Sequence, residues 1–152
     1  MLAPAAYVAY LVRFRLARLG HPLLDRQHAR LAEDTCALVR ALELDRSPCQ
    51  EISRLIRDTQ RHFDSEDRLM RSCPYPDADA AGHRALHDTL MGEMLGMRRT
   101  IAKGLPLHPK QAAQVLDWLT HHTAEADRNL VACLFASGRP VVRSSGRRGP
   151  RV

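Results

Sequence analysis

The stretch that decides the fold is residues 52–69, ISRLIRDTQRHFDSEDRL. Its apolar residues return every three or four positions, which is the period of a helix with one buried face. A histidine and a glutamate occupy inward positions of this stripe, which runs Ile52, Leu55, Thr59, His62, Glu66 and Leu69. Residues four apart lie on one face of a helix, one turn from each other. The stretch therefore predicts a helix that turns an imidazole and a carboxylate towards the core.

Three further segments show the same helical period, and each is closed by turn-forming residues. The first begins near Pro22, with the inward stripe Leu24, His28, Leu31, Thr35, Leu38 and Leu42. The third stops at Gly104, with the stripe Ala80, His83, His87, Leu90, Met94 and Ile101. The fourth ends at Gly138, with the stripe Val115, Leu119, His122, Ala126, Asp127, Leu130 and Leu134. Four such helices with short loops predict an all-α, up-down-up-down four-helix bundle.

Turn-forming and polar residues mark the expected helix starts. Ser47 is expected to cap the second helix, with Pro48 in the first helical position and Gln50 as the partner in a capping box. Asp77 is expected to cap the third helix. His21 and His108 also stand at helix starts rather than on an inward stripe.

Length and composition fit one domain. The chain has 152 residues, and aromatic residues, which favour strands, make up only 5% of it. We expect an N-terminal arm over residues 1–19, the bundle over residues 20–138, and a disordered basic tail over residues 139–152.

The net charge of +6 invites a nucleic-acid hypothesis, but the position of the charge argues against it. Five basic residues lie in the tail: Arg139, Arg143, Arg147, Arg148 and Arg151. Without them the rest of the chain carries only +1, and no helix shows a basic stripe interleaved with aromatic residues. We therefore expect no nucleic-acid partner.

Cysteine usage and hydropathy bear on the cellular location. Four widely spaced cysteines show no zinc-type spacing, and free thiols fit a reducing cytoplasm. The apolar run over residues 2–12 is too short to span a bilayer, and its basic residues follow rather than precede it. We expect a cytoplasmic protein without a transmembrane segment.

Histidines and acids on the inward stripes are the signal for function. Seven of them fall at one level of the four helices: His28, His62, Glu66, His83, His87, His122 and Asp127. The stripes contain no lysine or arginine, and burying uncompensated charge is costly. Bound metal cations would remove that cost. Imidazole with carboxylate suits iron, and the absence of cysteine from the set argues against structural zinc.

The spacing of His122 and Asp127 does not fit a regular helix. Residues five apart are separated by about 140° around an α-helix, so the two side chains would point in different directions. We therefore predict a local loosening of the backbone between them, such as a π-bulge, which is often found at functional sites.

The chain resembles the hemerythrins, and more closely the single-domain bacterial hemerythrins. The motifs that support this resemblance follow the family's order over residues 20 to 137. They are Asp25-Arg26-Gln27-His28, His62-Phe63-Asp64-Ser65-Glu66-Asp67 with Leu69-Met70, Tyr75-Pro76, His83-Arg84-Ala85-Leu86-His87, and Trp118-Leu119-Thr120-His121-His122 with Asp127.

The resemblance implies two iron ions joined by an oxo or hydroxo bridge, with dioxygen as the reversible ligand. One iron would be bound by His83, His87 and His122, and the other, which keeps an open position, by His28 and His62. Both irons would share the bridging carboxylates Glu66 and Asp127. The resemblance also implies that the dioxygen pocket is walled by Leu31, Phe63, Trp118 and Leu119.

Two alternatives remain open from the sequence. A di-iron oxidase, peroxidase or ferroxidase would be an enzyme, but such sites are richer in carboxylate and use Glu-x-x-His motifs, which the inward stripes lack. A sensing module would instead contact a protein partner through the arm or the tail. We expect an oxygen-binding protein rather than an enzyme, serving in storage, delivery, scavenging or sensing.

Overall fold

A computed structural model describes residues 18–138 of the chain. Its helices are α1 (Pro22–Glu43), α2 (Cys49–Met70), α3 (Asp77–Ala102), α4 (Pro109–His122) and α5 (Arg128–Ala136). A π-helical turn, Thr123–Asp127, joins α4 to α5, so that these three pieces form the fourth helix of a bundle. Residues 18–138 contain no strand, which confirms the all-α prediction.

The four helices form a ring. Each helix packs on the next one along the chain, and α4 closes the ring by packing on α1. The connections, residues 44–48, 71–76 and 103–108, are short, so consecutive helices run antiparallel. This is the predicted up-down-up-down bundle.

Histidine side chains cap two of the helices. The Leu24 N–H donates to Nδ1 of His21 over 3.4 Å, and the Lys110 N–H donates to Nδ1 of His108 over 3.1 Å. The His108 N–H in turn donates to the Gln111 side chain, completing a capping box. Both histidines therefore satisfy helix N-termini, as their positions in the sequence indicate.

The side-chain caps expected for α2 and α3 are wrong. Pro48 occupies the N-cap position of α2, so Ser47 lies one residue too early, and no side chain forms a capping hydrogen bond there. Pro76 takes the same position in α3, which places Asp77 inside the first turn. A carboxylate in the first turn still interacts favourably with the helix dipole.

The core consists of two apolar clusters with a polar layer between them. The larger cluster includes Leu31, Leu38, Ile52, Leu55, Leu90, Met94, Leu116 and Leu119. The smaller cluster contains Met70, Ala80, Leu130 and Leu134. Along α2, Leu55 precedes the polar layer and Met70 follows it; along α3, Ala80 precedes it and Leu90 follows it. The polar layer is therefore shielded from solvent at both ends.

The expected N-terminal arm and basic tail fall outside the described residues, except for residues 18 and 19. Their boundaries with the bundle remain predictions. Among the helices between residues 18 and 138, none combines the length and the low polarity that crossing a bilayer requires.

Candidate metal centre

The polar layer holds all seven inward histidines and acids that the sequence singled out. Each has less than a tenth of its surface exposed, and His62, Glu66 and Asp127 are fully buried. They come from every helix of the bundle: His28 from α1, His62 and Glu66 from α2, His83 and His87 from α3, and His122 and Asp127 from the fourth helix.

Asp127 faces imidazoles from all four helices of the bundle. Its Oδ1 lies 2.9 Å from Nε2 of His122 and 3.2 Å from Nε2 of His83. Its Oδ2 lies 3.0 Å from Nε2 of His28 and 4.0 Å from Nε2 of His62. The two oxygens of this carboxylate therefore face two different groups of histidines.

Glu66 stands beside the same two groups. Its Oε2 lies 3.1 Å from Nε2 of His87, and 3.5 Å from Nε2 of both His83 and His62. Two sets of potential ligand atoms result, and within each set all the atoms lie within 4.8 Å of one another. One set is Glu66, His83, His87, His122 and Asp127; the other is His28, His62, Glu66 and Asp127. The two carboxylates belong to both sets.

Ligand atoms of the larger set lie close together in the core. Nε2 of His122 lies 3.0 Å from Nε2 of His83 and 3.0 Å from Nε2 of His87. Imidazole and carboxylate groups gathered in this way, without cysteine, could hold a metal ion of the kind that such ligands prefer.

Unsatisfied polar atoms lead to the same conclusion. Among the described residues, no hydrogen bond of acceptable geometry reaches either oxygen of Glu66, either oxygen of Asp127, or Nε2 of His28 and His62. Buried polar atoms are normally hydrogen-bonded, because an unpaired one costs about 1–3 kcal/mol. Coordination to a cation would satisfy these atoms, so the residues present fit a metal centre.

The pKa values show how strongly these groups interact. Burial, together with the charge of Asp127, raises the pKa of Glu66 to about 8. Burial also disfavours a charge on Asp127, but nearby imidazoles, that of His122 foremost, hold the pKa of Asp127 well below its usual range. Burial likewise opposes protonation of His83, yet the two carboxylates raise its pKa to about 9. The buried acids thus stabilise a positive charge on His83. Bound metal cations would supply positive charge in the same layer.

The π-helical turn is what brings Asp127 into the layer. It spans Thr123–Asp127 and begins directly after His122, whose own backbone is helical. A π-turn accommodates an extra residue without rotating the helix that follows. The prediction of a loosened backbone between these two residues is therefore confirmed.

Residues 19–134 match the family model of the hemerythrin HHE cation-binding domain. The chain belongs to this family. It is 31% identical over 88 residues to a bacteriohemerythrin of Methylococcus capsulatus, covering 57% of this chain and 66% of that protein, slightly less than two thirds of its length. It is 24% identical over 110 residues to a myohemerythrin of Sipunculus nudus, covering 72% and 82% of the two chains. No solved structure matches it.

In this member of the hemerythrin family, two aromatic rings stack on histidines of the candidate metal centre. Phe63 lies parallel to the His87 ring at a centroid distance of 3.6 Å, and Trp118 stacks on the His122 ring at 4.4 Å. Rings held in this way have little freedom to rotate. Phe63 is buried and Trp118 is half-buried, and both pack against the larger apolar cluster.

The two leucines predicted to wall a dioxygen pocket are also part of that cluster. Leu31 is fully buried and Leu119 is 1% exposed. Their environment is apolar, as the prediction requires. Their role as pocket walls remains a prediction, together with those of Phe63 and Trp118.

Sequence reasoning missed one residue next to the centre. Gln27 is half-buried on α1, and its Oε1 lies 3.2 Å from Nδ1 of His62 on α2. The only signal in the sequence is its place beside His28 in the Asp25–His28 motif. Because the contact joins residues 35 positions apart, helical periodicity alone could not reveal it.

Proposed function

We propose that this protein binds dioxygen reversibly at a non-haem centre of two iron ions. The observation that carries the proposal is the unequal division of histidines between two ligand sets that share both carboxylates. Three histidines belong to one set and two to the other. An ion with fewer protein ligands retains a position for an external molecule.

The proposal assigns each side chain a role. His83, His87 and His122 would hold one iron, and His28 and His62 the other. Glu66 and Asp127 would bridge the pair, with an oxo or hydroxo group as a further bridge. The bridging roles of Glu66 and Asp127 are supported by the position of each carboxylate between the two groups of histidines. The iron pair, when bound, supplies the electrons that reversible dioxygen binding requires.

The remaining residues keep the reaction reversible by excluding water. Leu119 and Leu31 are buried, and Phe63 and Trp118 cover the rings of two ligands. An apolar wall without a proton donor slows the protonation that would release reduced oxygen and leave the iron oxidised. The chain thereby favours release of dioxygen over irreversible oxidation.

The test is iron analysis combined with absorption spectra of the reduced protein, first without air, then in air, then under vacuum. We expect two irons per chain and a charge-transfer band that appears in air and disappears under vacuum. Protein loaded with zinc, which has no redox chemistry, is the control and should show no band. A band that persists under vacuum, or iron bound without any response to air, would contradict the proposal.

A further inference from the structure

A chain of hydrogen bonds connects the backbone of α2 to Gln27. The Ser65 hydroxyl donates to the Arg61 carbonyl over 2.8 Å, so its single proton is used. Its oxygen accepts two hydrogen bonds, from Nε2 of Gln27 at 3.0 Å and from the Arg68 guanidinium at 3.2 Å. Ser65 can therefore act only as an acceptor towards Gln27.

This arrangement fixes the orientation of the Gln27 amide. Because its nitrogen must donate to Ser65, its Oε1 is the atom that faces His62. An amide oxygen only accepts hydrogen bonds, so Nδ1 of His62 must be the donor. A neutral imidazole carries a single N–H, which leaves Nε2 of His62 with a free lone pair. This lone pair is on the side of the ring nearest Glu66, whose Oε2 lies 3.5 Å from Nε2 of His62.

His62 differs in this respect from other histidines of the centre. The Nδ1 atoms of His28, His83 and His122 are buried without a hydrogen-bond partner among the described residues. Of these four histidines, only His62 has its Nδ1, the outer nitrogen, hydrogen-bonded to a side chain among the described residues. It belongs to the smaller ligand set, the one with fewer histidines.

We infer that Gln27 is a positioning residue for His62, one that fixes its tautomer and tunes the metal ion at the site where dioxygen binds. The inference rests on the proposed function for its link to dioxygen. A hydrogen bond to the outer nitrogen of a ligating histidine orients the ring and increases its basicity, and losing such a bond typically weakens metal binding about 10- to 100-fold.

The surroundings of Gln27 allow an informative substitution. It lines a surface cavity of about 210 Å³ together with Arg30, Asp58 and Arg61. The two guanidinium groups lie 3.4 Å and 3.5 Å from the single carboxylate of Asp58, so this cavity has one positive charge in excess to accommodate a negative charge at position 27. Gln27→Glu should therefore fold, keep the acceptor towards His62 and strengthen it, because a carboxylate accepts more strongly than an amide.

The experiment compares Gln27→Leu, Gln27→Glu and Ser65→Ala with the parent, measuring iron affinity by chelator competition and the reduction potential of the centre. We expect Gln27→Leu to bind one of the two irons about 10- to 100-fold more weakly. Ser65→Ala, which frees the amide to rotate, should shift affinity in the same direction but less. Gln27→Glu should retain affinity and lower the potential, since a more basic ligand stabilises the oxidised ion.

Gln60→Leu is the matched control, because Gln60 is exposed on α2 and, within residues 18–138, its amide hydrogen-bonds only to Asp64, over 2.9 Å. It should leave affinity and potential unchanged. Equal affinities and potentials in the parent and all three test variants, with folding verified by circular dichroism, would overturn the inference.

A second readout does not depend on iron. In iron-free protein labelled with ¹⁵N-histidine, NMR should show a protonated Nδ1 on His62 that exchanges slowly in the parent and rapidly in Gln27→Leu. An unprotonated Nδ1 in the parent would overturn the inference. A parent that binds no iron, yet shows this protonated nitrogen, would refute the proposed function and leave the hydrogen bond standing.

Discussion

Two adjacent histidines on α4 have opposite environments. His122 is 5% exposed and lies 2.9 Å from Asp127, whereas His121 is exposed and its Nδ1 contacts the Asp117 carbonyl, 2.8 Å away. We predict that His122→Ala lowers the iron content from two ions per chain to one or none, because an ion of the larger ligand set loses a histidine. His121→Ala should retain both ions. Iron analysis of the purified variants decides; a full complement in His122→Ala would count against the ligand assignment.

A substitution at Leu119 tests the role of water exclusion. It is 1% exposed in the larger apolar cluster, so Leu119→Ser would bring a hydroxyl and water towards the centre. We predict autoxidation at least about tenfold faster than in the parent, which corresponds to about 1.4 kcal/mol of barrier. The decay of the dioxygen-bound spectrum measures it. Leu86→Ser, at a leucine that is 45% exposed, is the control. Equal rates for parent and Leu119→Ser would refute the water-exclusion argument.

Single-residue features were predictable from the sequence where helical period determines them. The period of the stripes is enough to place the seven histidines and acids inward, and all seven are buried. The contact of Gln27 with His62 and the stacking of Trp118 on His122 depend instead on side-chain conformations. Periodicity contains no information about rotamers, so these contacts required the structure.

Among the elements, the π-turn compensates for an unusual spacing. Five residues separate His122 from Asp127, and an ideal α-helix would set them about 140° apart. Deleting the exposed Ala124 would leave a spacing of four, about 40° in a regular α-helix. We therefore predict that the deletion variant keeps two irons per chain. Inserting one alanine after Ala124 gives a spacing of six, about 120° on the other side, and should abolish loading of both ions.

Iron content and helicity by circular dichroism distinguish these outcomes. Loss of iron from the deletion variant with intact helicity would show that the π-turn does more than restore alignment. Retention of both ions by the insertion variant would show that Asp127 is not a ligand.

Helix ends were less predictable than helix bodies. The apolar stripes extend over many turns, so chance matches average out, whereas a cap depends on one residue. Ser47 and Asp77 have the right chemistry for caps, but Pro48 and Pro76 occupy the N-cap positions. A proline has no N–H and a fixed φ, which suits it to the residue at which the helix begins.

At the scale of the whole molecule, a pair of acids, the buried Asp34 and the half-buried Asp58, joins α1 to α2 away from the candidate metal centre. The side chains of Asp34 and Asp58 are 4% and 10% exposed, and Arg30 lies 3.4 Å from Asp58. Burial, together with a hydrogen bond that the protonated Asp34 carboxyl donates to Asp58 and the negative charge of Asp58, raises the pKa of Asp34 to about 6. The folded state therefore holds a proton that the unfolded chain has already lost above pH 4.

The stability of the fold should depend on pH accordingly. Between about pH 4 and 6 the folded state binds more protons than the unfolded chain, so the contribution of Asp34 decreases as pH rises through this window. We predict that Asp34→Asn, which mimics the protonated acid, gains on the order of 2 kcal/mol relative to the parent over this window. Denaturant unfolding of iron-loaded parent and variant measures it. Asp117→Asn, at an exposed position, is the control. The prediction would be contradicted if the free energy of unfolding depended on pH in the same way in the parent and in Asp34→Asn.

The fold as a whole was predictable because its four helices are separated by short, well-marked loops. Consecutive antiparallel helices with one apolar stripe each leave few arrangements other than a ring. The division of the polar layer into two ligand sets was not predictable from spacing alone. It depends on which oxygen of Asp127 faces which histidine, and in the sequence it rested on family resemblance.

The most direct test of the central claim is anomalous X-ray diffraction at the iron edge from crystals of the iron-loaded protein. The claim predicts two iron peaks inside the bundle, one beside His83, His87 and His122 and one beside His28 and His62, with Glu66 and Asp127 between them. A single peak, or iron bound outside this layer, would contradict it.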